Sequence, residues 1–213
     1  MPLTNAAVVV DEASFRYGSR IAVAPSSAEI PEGSITAIIG PNGSGKSTML
    51  NGMAGLIAPS TGSISTMPVD DRPRRMAYVL QSTRVNESLP ITVREVVTMG
   101  RYPSTGPYRR LNGDDRSAVV AAMERMEIAG LADRHITELS GGQRQRVFVA
   151  QGLAQDHDML LLDEPLTGLD ITSARAIDDV IHEEQSYGCT IVQTTHDLTA
   201  AQVADYVILM SGR

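Results

Sequence analysis

The sequence predicts an α/β protein with a mainly parallel sheet at its core, an antiparallel β subdomain at the N-terminus and an α-helical subdomain inserted into the middle. Three observations carry this prediction. Short apolar runs, each too brief for a helix, recur at Ser34–Ile39, Met76–Leu80, Met159–Leu162, Thr190–Thr194 and Tyr206–Met210. Helical spacing separates several of them, and strands that alternate with helices build a parallel sheet with covered faces. Residues 83–138 interrupt the alternation with a locally connected helical stretch.

Taken in order, Val8–Tyr17 sets Ala13, Phe15 and Tyr17 against Ser14 and Arg16, a period of two. With Ile21–Ile30 it forms an expected antiparallel pair, and Pro31-Glu-Gly33 turns the chain into Ser34–Ile39. From Lys46, the positions Met49, Leu50, Met53, Leu56 and Ile57 follow helical spacing, and Pro59-Ser-Thr-Gly62 closes that segment. The insert reads as two helices, Ile91–Gly100 and Asp114–Glu127, the second with Val119, Val120, Met123 and Met126 on one face. A Pro/Gly-rich loop, Tyr102–Gly113, separates them. An amphipathic helix follows Ser140, with Val147, Phe148 and Ala154 toward one side. Gly152 within it costs about 1 kcal/mol relative to alanine unless close packing requires it. A further helix, Ser173–Gln185, precedes the strand at Thr190. The whole chain, 1–213, is expected to be one domain, with its core in 1–82 and 139–213 and the helical subdomain in 83–138.

Its 213 residues are 42% hydrophobic and 20% charged, an ordinary globular balance large enough to bury a sizeable core. A net charge of −7 argues against holding nucleic acid or anionic lipid by bulk charge. The basic clusters Arg72–Arg75 and Arg109-Arg110 read as solvated loop charge. Cys189 is the only cysteine, so no internal disulfide forms. The N-terminus is acidic where a signal peptide is basic, and no run approaches the roughly 20 apolar residues of a membrane span. A soluble, cytosolic chain is expected.

Gly40-Pro41-Asn42-Gly43-Ser44-Gly45-Lys46-Ser47, followed by Thr48, fits G-x-x-x-x-G-K-[ST] in full, between an expected strand and an expected helix. Its glycines let backbone N–H groups converge on a β-phosphate, Lys46 reaches the β/γ oxygens and the Ser47 hydroxyl ligates Mg²⁺. Hence the core is expected to be a P-loop NTPase core. Met159–Leu162 carries Asp163 to the C-terminal end of a buried strand, where open α/β sheets bind ligands. Asp163 can hold Mg²⁺ there, and Glu164 is placed to polarise a water aimed at the γ-phosphate. These two motifs leave kinases, GTPases and many ATPases open.

Leu139-Ser140-Gly141-Gly142-Gln143, between the P-loop and a strand ending Asp163-Glu164-Pro165, resembles the signature of the ATP-binding cassette (ABC) family, and the resemblance covers essentially the whole chain. It implies ATP and Mg²⁺ as cofactors, ATP hydrolysis as the activity, and an ATP-dependent head-to-tail dimer. In such a dimer Ser140, Gly141, Gly142 and Gln143 of one chain close over the nucleotide of the other, which explains an anion-binding loop without a lysine. The same resemblance assigns Tyr17 to adenine stacking, against the alternative of a strand tyrosine at the core edge. It assigns Gln81 to Mg²⁺ and the attacking water, Asp170 to the D-loop and His196 to the γ-phosphate. His135, His157 and His182 match nothing and read as surface or structural. The family often has Ala-Arg-Ala where this chain has Ala150-Gln151-Gly152.

Three functions fit such a cassette. DNA-repair and chromosome ATPases carry long coiled coils between P-loop and signature, which this chain lacks, and translation-associated members have two cassettes per chain. The favoured reading is therefore the ATPase subunit of a transporter, with a soluble ABC ATPase acting on nucleic acid or ribosomes as the alternative. Pro90–Pro103 resembles cassettes of importers for manganese, zinc, iron or metal chelates, and Met99-Gly-Arg-Tyr-Pro103 carries most of the likeness. Implied partners are a separate transmembrane permease, a substrate-binding protein and no nucleic acid. The implied location is cytoplasmic, peripheral on the inner face of the membrane. Arg101, Tyr102 and the loop after them are candidates for docking to the permease.

Overall fold

A computed structural model describes residues 5–81, 90–106 and 110–211. Arg109 of the second basic cluster, residues 83–89 of the expected helical subdomain and the chain end at Arg213 lie outside the described residues. In chain order the elements are β1 (Ala6–Tyr17), β2 (Arg20–Pro31), β3 (Ile35–Ile39), α1 (Lys46–Met53), β4 (Thr61–Thr66), β5 (Met76–Val79), α2 (Val93–Met99), α3 (Tyr102–Thr105), α4 (Gly113–Arg125), α5 (Gly141–Leu153), β6 (Met159–Asp163), α6 (Ile171–Ser186), β7 (Thr190–Thr195), α7 (Leu198–Gln202) and β8 (Tyr206–Leu209). Two compact units result. The first comprises Met1–Tyr78, Asp158–Glu164 and Glu184–Arg213, the second Val79–His157 and Pro165–Glu183.

The first unit holds a sheet of order β5-β6-β7-β3-β8, parallel between β6, β7, β3 and β8. Strands β3, β6 and β7 are buried along their full length, which is why they read as continuous apolar runs rather than as alternation. Helix α1 ends at Met53, earlier than the apolar spacing predicts. Gly55 takes φ 69°, and the N–H groups of Gly55 and Leu56 bond back to Gly52 and Asn51, a Schellman stop that leaves Leu56 exposed.

The expected antiparallel pair is a three-stranded sheet of order β2-β1-β4. Pro59-Ser-Thr-Gly62 does not only end a helix; it leads into β4. The strand escaped notice because Thr-Gly-Ser-Ile-Ser-Thr offers one apolar residue and is half exposed. Gly62 is required there, since a Cβ would run into the backbone of Asp11 and Glu12 at the irregularity in β1 where Glu12 takes φ 45°. The Arg72–Arg75 cluster is paired charge rather than free loop charge, although Arg72 and Arg75 keep partial solvent exposure. Arg72 grips Asp158 through two bonds of 2.6 and 2.7 Å, and the buried Arg74 donates to Glu32 at 2.8 Å. Arg72, with Arg75, holds the Asp158 carboxyl well below the usual carboxylate range.

In the second unit, α2, α4 and α5 pack on one another through Val93, Val96, Val97, Val119, Ala122, Met123, Val147 and Ala150. All three begin with reciprocal capping boxes, Thr92/Glu95, Asn112/Asp115 and Ser140/Gln143. The expected Tyr102–Gly113 loop begins instead with the one-turn helix α3. Gly100 allows the C-terminal end of α2 to approach α5, where a Cβ would strike the Gln151 carbonyl and the Ala154 methyl. Gly152 is buried in that same helix.

Arg101 is not a docking residue. It is 8% exposed, and its guanidinium donates to Asp115 at 3.0 Å, the Ala154 carbonyl at 2.8 Å and Asp156 at 2.9 Å. Tyr102 beside it is exposed. Removing a buried ion-pair partner strands the remaining charges, so Arg101→Leu is expected to lower the unfolding midpoint by roughly 5 °C or more. Thermal unfolding followed by circular dichroism checks this, and an unchanged midpoint would refute the structural role.

Candidate functional site

The first unit assembles a cluster at the C-terminal ends of β3, β6 and β7. After Ile39 the loop Gly40–Gly45 turns through left-handed conformations at Gly43, φ 82°, and Gly45, φ 97°. Gly45 is the N-cap of α1 and no side chain caps it, so the first N–H groups of the helix are left to an anion. A Cβ at Gly40 would meet the Met210 carbonyl and Ser44 Oγ, and one at Gly45 would meet Val23 and the Ala22 carbonyl. Pro41, Asn42 and Gly43 form the exposed crest of the loop, while Thr48 is half-buried in α1. Ser44 Oγ is buried without a hydrogen-bond partner among the described residues. Lys46 is 5% exposed; its ammonium donates to the carbonyls of Gly40 at 2.9 Å and Pro41 at 3.4 Å, and lies 3.6 Å from Glu164 Oε1.

Asp163 ends β6. Its Oδ1 accepts the hydroxyls of Ser47 at 2.9 Å and Thr194 at 2.6 Å. Glu164 follows with φ 47°, a conformation costly for a residue with a side chain. Its N–H donates to Thr194 Oγ1 at 2.9 Å, and its Oε2 lies 3.4 Å from His196 Nδ1. The structure therefore brings Lys46, Ser47, Asp163, Glu164 and His196 together. Tyr17, at the end of β1, is 56% exposed. Ser47 Oγ and the Asp163 carboxylate form a pair of hard oxygen donors, the type of ligand Mg²⁺ takes, so these residues fit the ion.

Sequence reasoning missed two residues here. Thr194 bonds to both acids; the available signal was a threonine inside a wholly buried strand. Tyr78 has a buried hydroxyl with no partner among the described residues, and burial together with the Asp163 charge pushes the phenol far above its ordinary range.

The second unit carries the other predicted residues. Gln81 follows β5 and is exposed. Ser140 and Gly141 are exposed at the start of α5, where Ser140 Oγ accepts the Gln143 N–H at 3.2 Å and Gln143 Oε1 accepts the Ser140 N–H at 3.0 Å. Only the lone pairs of Ser140 are needed for that cap, so its proton remains available. Asp170 accepts the N–H and the hydroxyl of Ser173 at 2.8 and 3.0 Å, and those bonds hold its carboxyl below the ordinary value. Gly142 packs directly on this pair: a Cβ there would meet Ser173 Oγ and Asp170 Oδ2. Side-chain absence at Gly142 is therefore set by the neighbouring Asp170 and Ser173 of the same chain.

Comparison with known proteins agrees with this geometry. The family model described as ABC transporter matches residues 23–167. The manganese transport system ATP-binding protein of Synechocystis sp. is 37% identical, over 98% of this chain and 83% of its own length. The zinc transport system ATP-binding protein of Treponema pallidum is 39% identical, over 99% of this chain and 80% of its own. Among solved structures, an inward-facing ABC transporter described as of metal-chelate type superposes with a TM-score of 0.84 at 28% identity, covering 97% of this chain and 80% of that one.

Proposed function

The chain belongs to the ABC transporter family of ATP-hydrolysing cassettes, and from that premise we propose that it powers import of a metal ion, of the manganese, zinc or iron type, or of a metal chelate. The observation that carries the enzymatic part is the convergence of Lys46, Ser47, Asp163, Glu164 and His196 in the first unit. The substrate class rests on the relatives, which are ATP-binding proteins of manganese and zinc transport systems. The alternative of a soluble cassette acting on nucleic acid or ribosomes draws no support from them.

In this reading the loop Gly40–Thr48 wraps the phosphates of ATP, Tyr17 stacks on its adenine, and Lys46, still tied to the loop carbonyls, points its remaining N–H at the β/γ oxygens. Ser47 and Asp163 hold Mg²⁺, which when bound neutralises phosphate charge. Glu164 takes the proton of the attacking water, and His196 steadies the γ-phosphate and that water. Catalysis is then mostly positioning and electrostatics. Ser140, Gly141, Gly142 and Gln143 complete the ATP site of a second cassette, with the D-loop residue Asp170 at that junction and Gln81 reporting nucleotide state to the helical subdomain, 83–138. No helix among the described residues is long and apolar enough to cross a membrane; in this reading the permease is a separate chain. The cassette docks on its inner face through the helical subdomain, and a substrate-binding protein delivers the metal outside.

Affinity purification of tagged Glu164→Gln from its native membranes with Mg-ATP tests this. A multi-span permease should co-purify. Recovery of only ribosomal or nucleic-acid partners would overturn the transport reading and leave the ATPase chemistry intact.

A further inference from the structure

Thr194 stands opposite Asp163 in the parallel register of β6 and β7, and it is fully buried. Its hydroxyl carries one proton and two lone pairs. An ionised carboxylate only accepts and a backbone N–H only donates, so the roles are fixed. Thr194 donates to Asp163 Oδ1 at 2.6 Å and accepts from the Glu164 N–H at 2.9 Å. With Ser47 donating to the same Oδ1 at 2.9 Å, two hydroxyls orient the Asp163 carboxylate. The second bond of Thr194 falls on the residue whose backbone is held at φ 47°. One hydroxyl thus bonds both the acid beside Ser47 and the strained residue after it, which valine or alanine cannot do.

We propose that Thr194 is a positioning residue for ATP hydrolysis: its hydroxyl holds Asp163 and Glu164 in one fixed relation, so that losing it slows turnover and leaves nucleotide binding in place. The inference rests on the roles given above to Asp163 and Glu164. Thr194 itself touches no reacting atom; it acts through the backbone of Glu164 and the carboxylate of Asp163. A misplacement of about 1 Å in such a group is enough to cost about 100-fold in rate.

The test compares three variants of the full chain: Thr194→Val, which keeps shape without the hydroxyl; Thr194→Ser, which keeps the hydroxyl; and Thr194→Ala, which keeps neither hydroxyl nor methyl. Steady-state hydrolysis of radiolabelled ATP supplies kcat and KM, and calorimetry supplies the ATP Kd with Mg²⁺ and with EDTA. Thr194→Val and Thr194→Ala should lower kcat by about 30- to 100-fold, with Kd and KM within about twofold, while Thr194→Ser stays within about threefold of wild type. Wild-type kcat in Thr194→Val, equal losses in the serine and valine variants, or Kd weakening in step with kcat would each overturn the proposal. If Thr194→Val fails to fold, the alanine and serine variants make the same comparison. Glu164→Gln is run alongside. Normal turnover in that variant would remove the assignment on which the inference stands, whereas an inactive Glu164→Gln beside a normal Thr194→Val would remove the inference alone.

Discussion

Glu164→Gln is expected to hydrolyse ATP about 1,000-fold more slowly than the wild-type chain while binding it at least as tightly. Glutamine keeps the size and the hydrogen-bonding reach of the side chain but cannot take a proton from water. The carboxylate it replaces is 13% exposed, 3.6 Å from the Lys46 ammonium and 3.4 Å from His196 Nδ1. The neutral amide fits the same space, so the fold and the loop Gly40–Thr48 should be undisturbed. Binding should not suffer either, because a negative charge beside the phosphate site has been removed. Hydrolysis of radiolabelled ATP and calorimetric titration read the two effects separately. Turnover within tenfold of wild type would show that the proton goes elsewhere.

The parts of this molecule that were legible in the sequence are those where one local requirement dominates. Buried parallel strands need apolar side chains on both faces, and β3, β6 and β7 announced themselves by that run alone. The phosphate loop is legible because its glycines answer to steric limits, visible here as the contacts a Cβ would make at Gly40 and Gly45. Strand β4 was illegible for the opposite reason. It is polar and half exposed, and it is held by pairing to β1, a long-range partner that local periodicity does not report. Arg101 failed in the same way: a charged residue beside a Pro/Gly loop reads as surface until its partners, Asp115 and Asp156, are brought to it from 14 and 55 residues away.

The candidate site divides along similar lines. Lysine, serine and acid positions come with spacing rules, so Lys46, Ser47, Asp163 and Glu164 could be named from order along the chain. Thr194 has no such rule. A buried threonine in a strand is ordinary, and what distinguishes this one is a register in β6 and β7 that sets it opposite Asp163. The positive φ of Glu164 was equally hidden, because glutamate is not a residue from which left-handed backbone is expected.

Lys46→Ala is expected to lose the nucleotide itself, with ATP affinity lower by on the order of 30-fold or more. Three consequences act in the same direction. A charge-assisted contact to the β/γ oxygens disappears. The Gly40 and Pro41 carbonyls, which the ammonium holds at 2.9 and 3.4 Å, lose that donor, so the loop loses a tie across its own mouth. The cation 3.6 Å from Glu164 is also gone, and the Glu164 charge then opposes the incoming phosphates more strongly. The third contribution can be isolated, since the double variant Lys46→Ala/Glu164→Gln removes the repulsion as well as the attraction. It should bind ATP more tightly than Lys46→Ala alone, and a double-mutant cycle measured by calorimetry gives the coupling directly. Equal affinities for the single and double variants would show that Glu164 is not felt by the phosphates. Wild-type affinity in Lys46→Ala would remove Lys46 from the nucleotide site altogether.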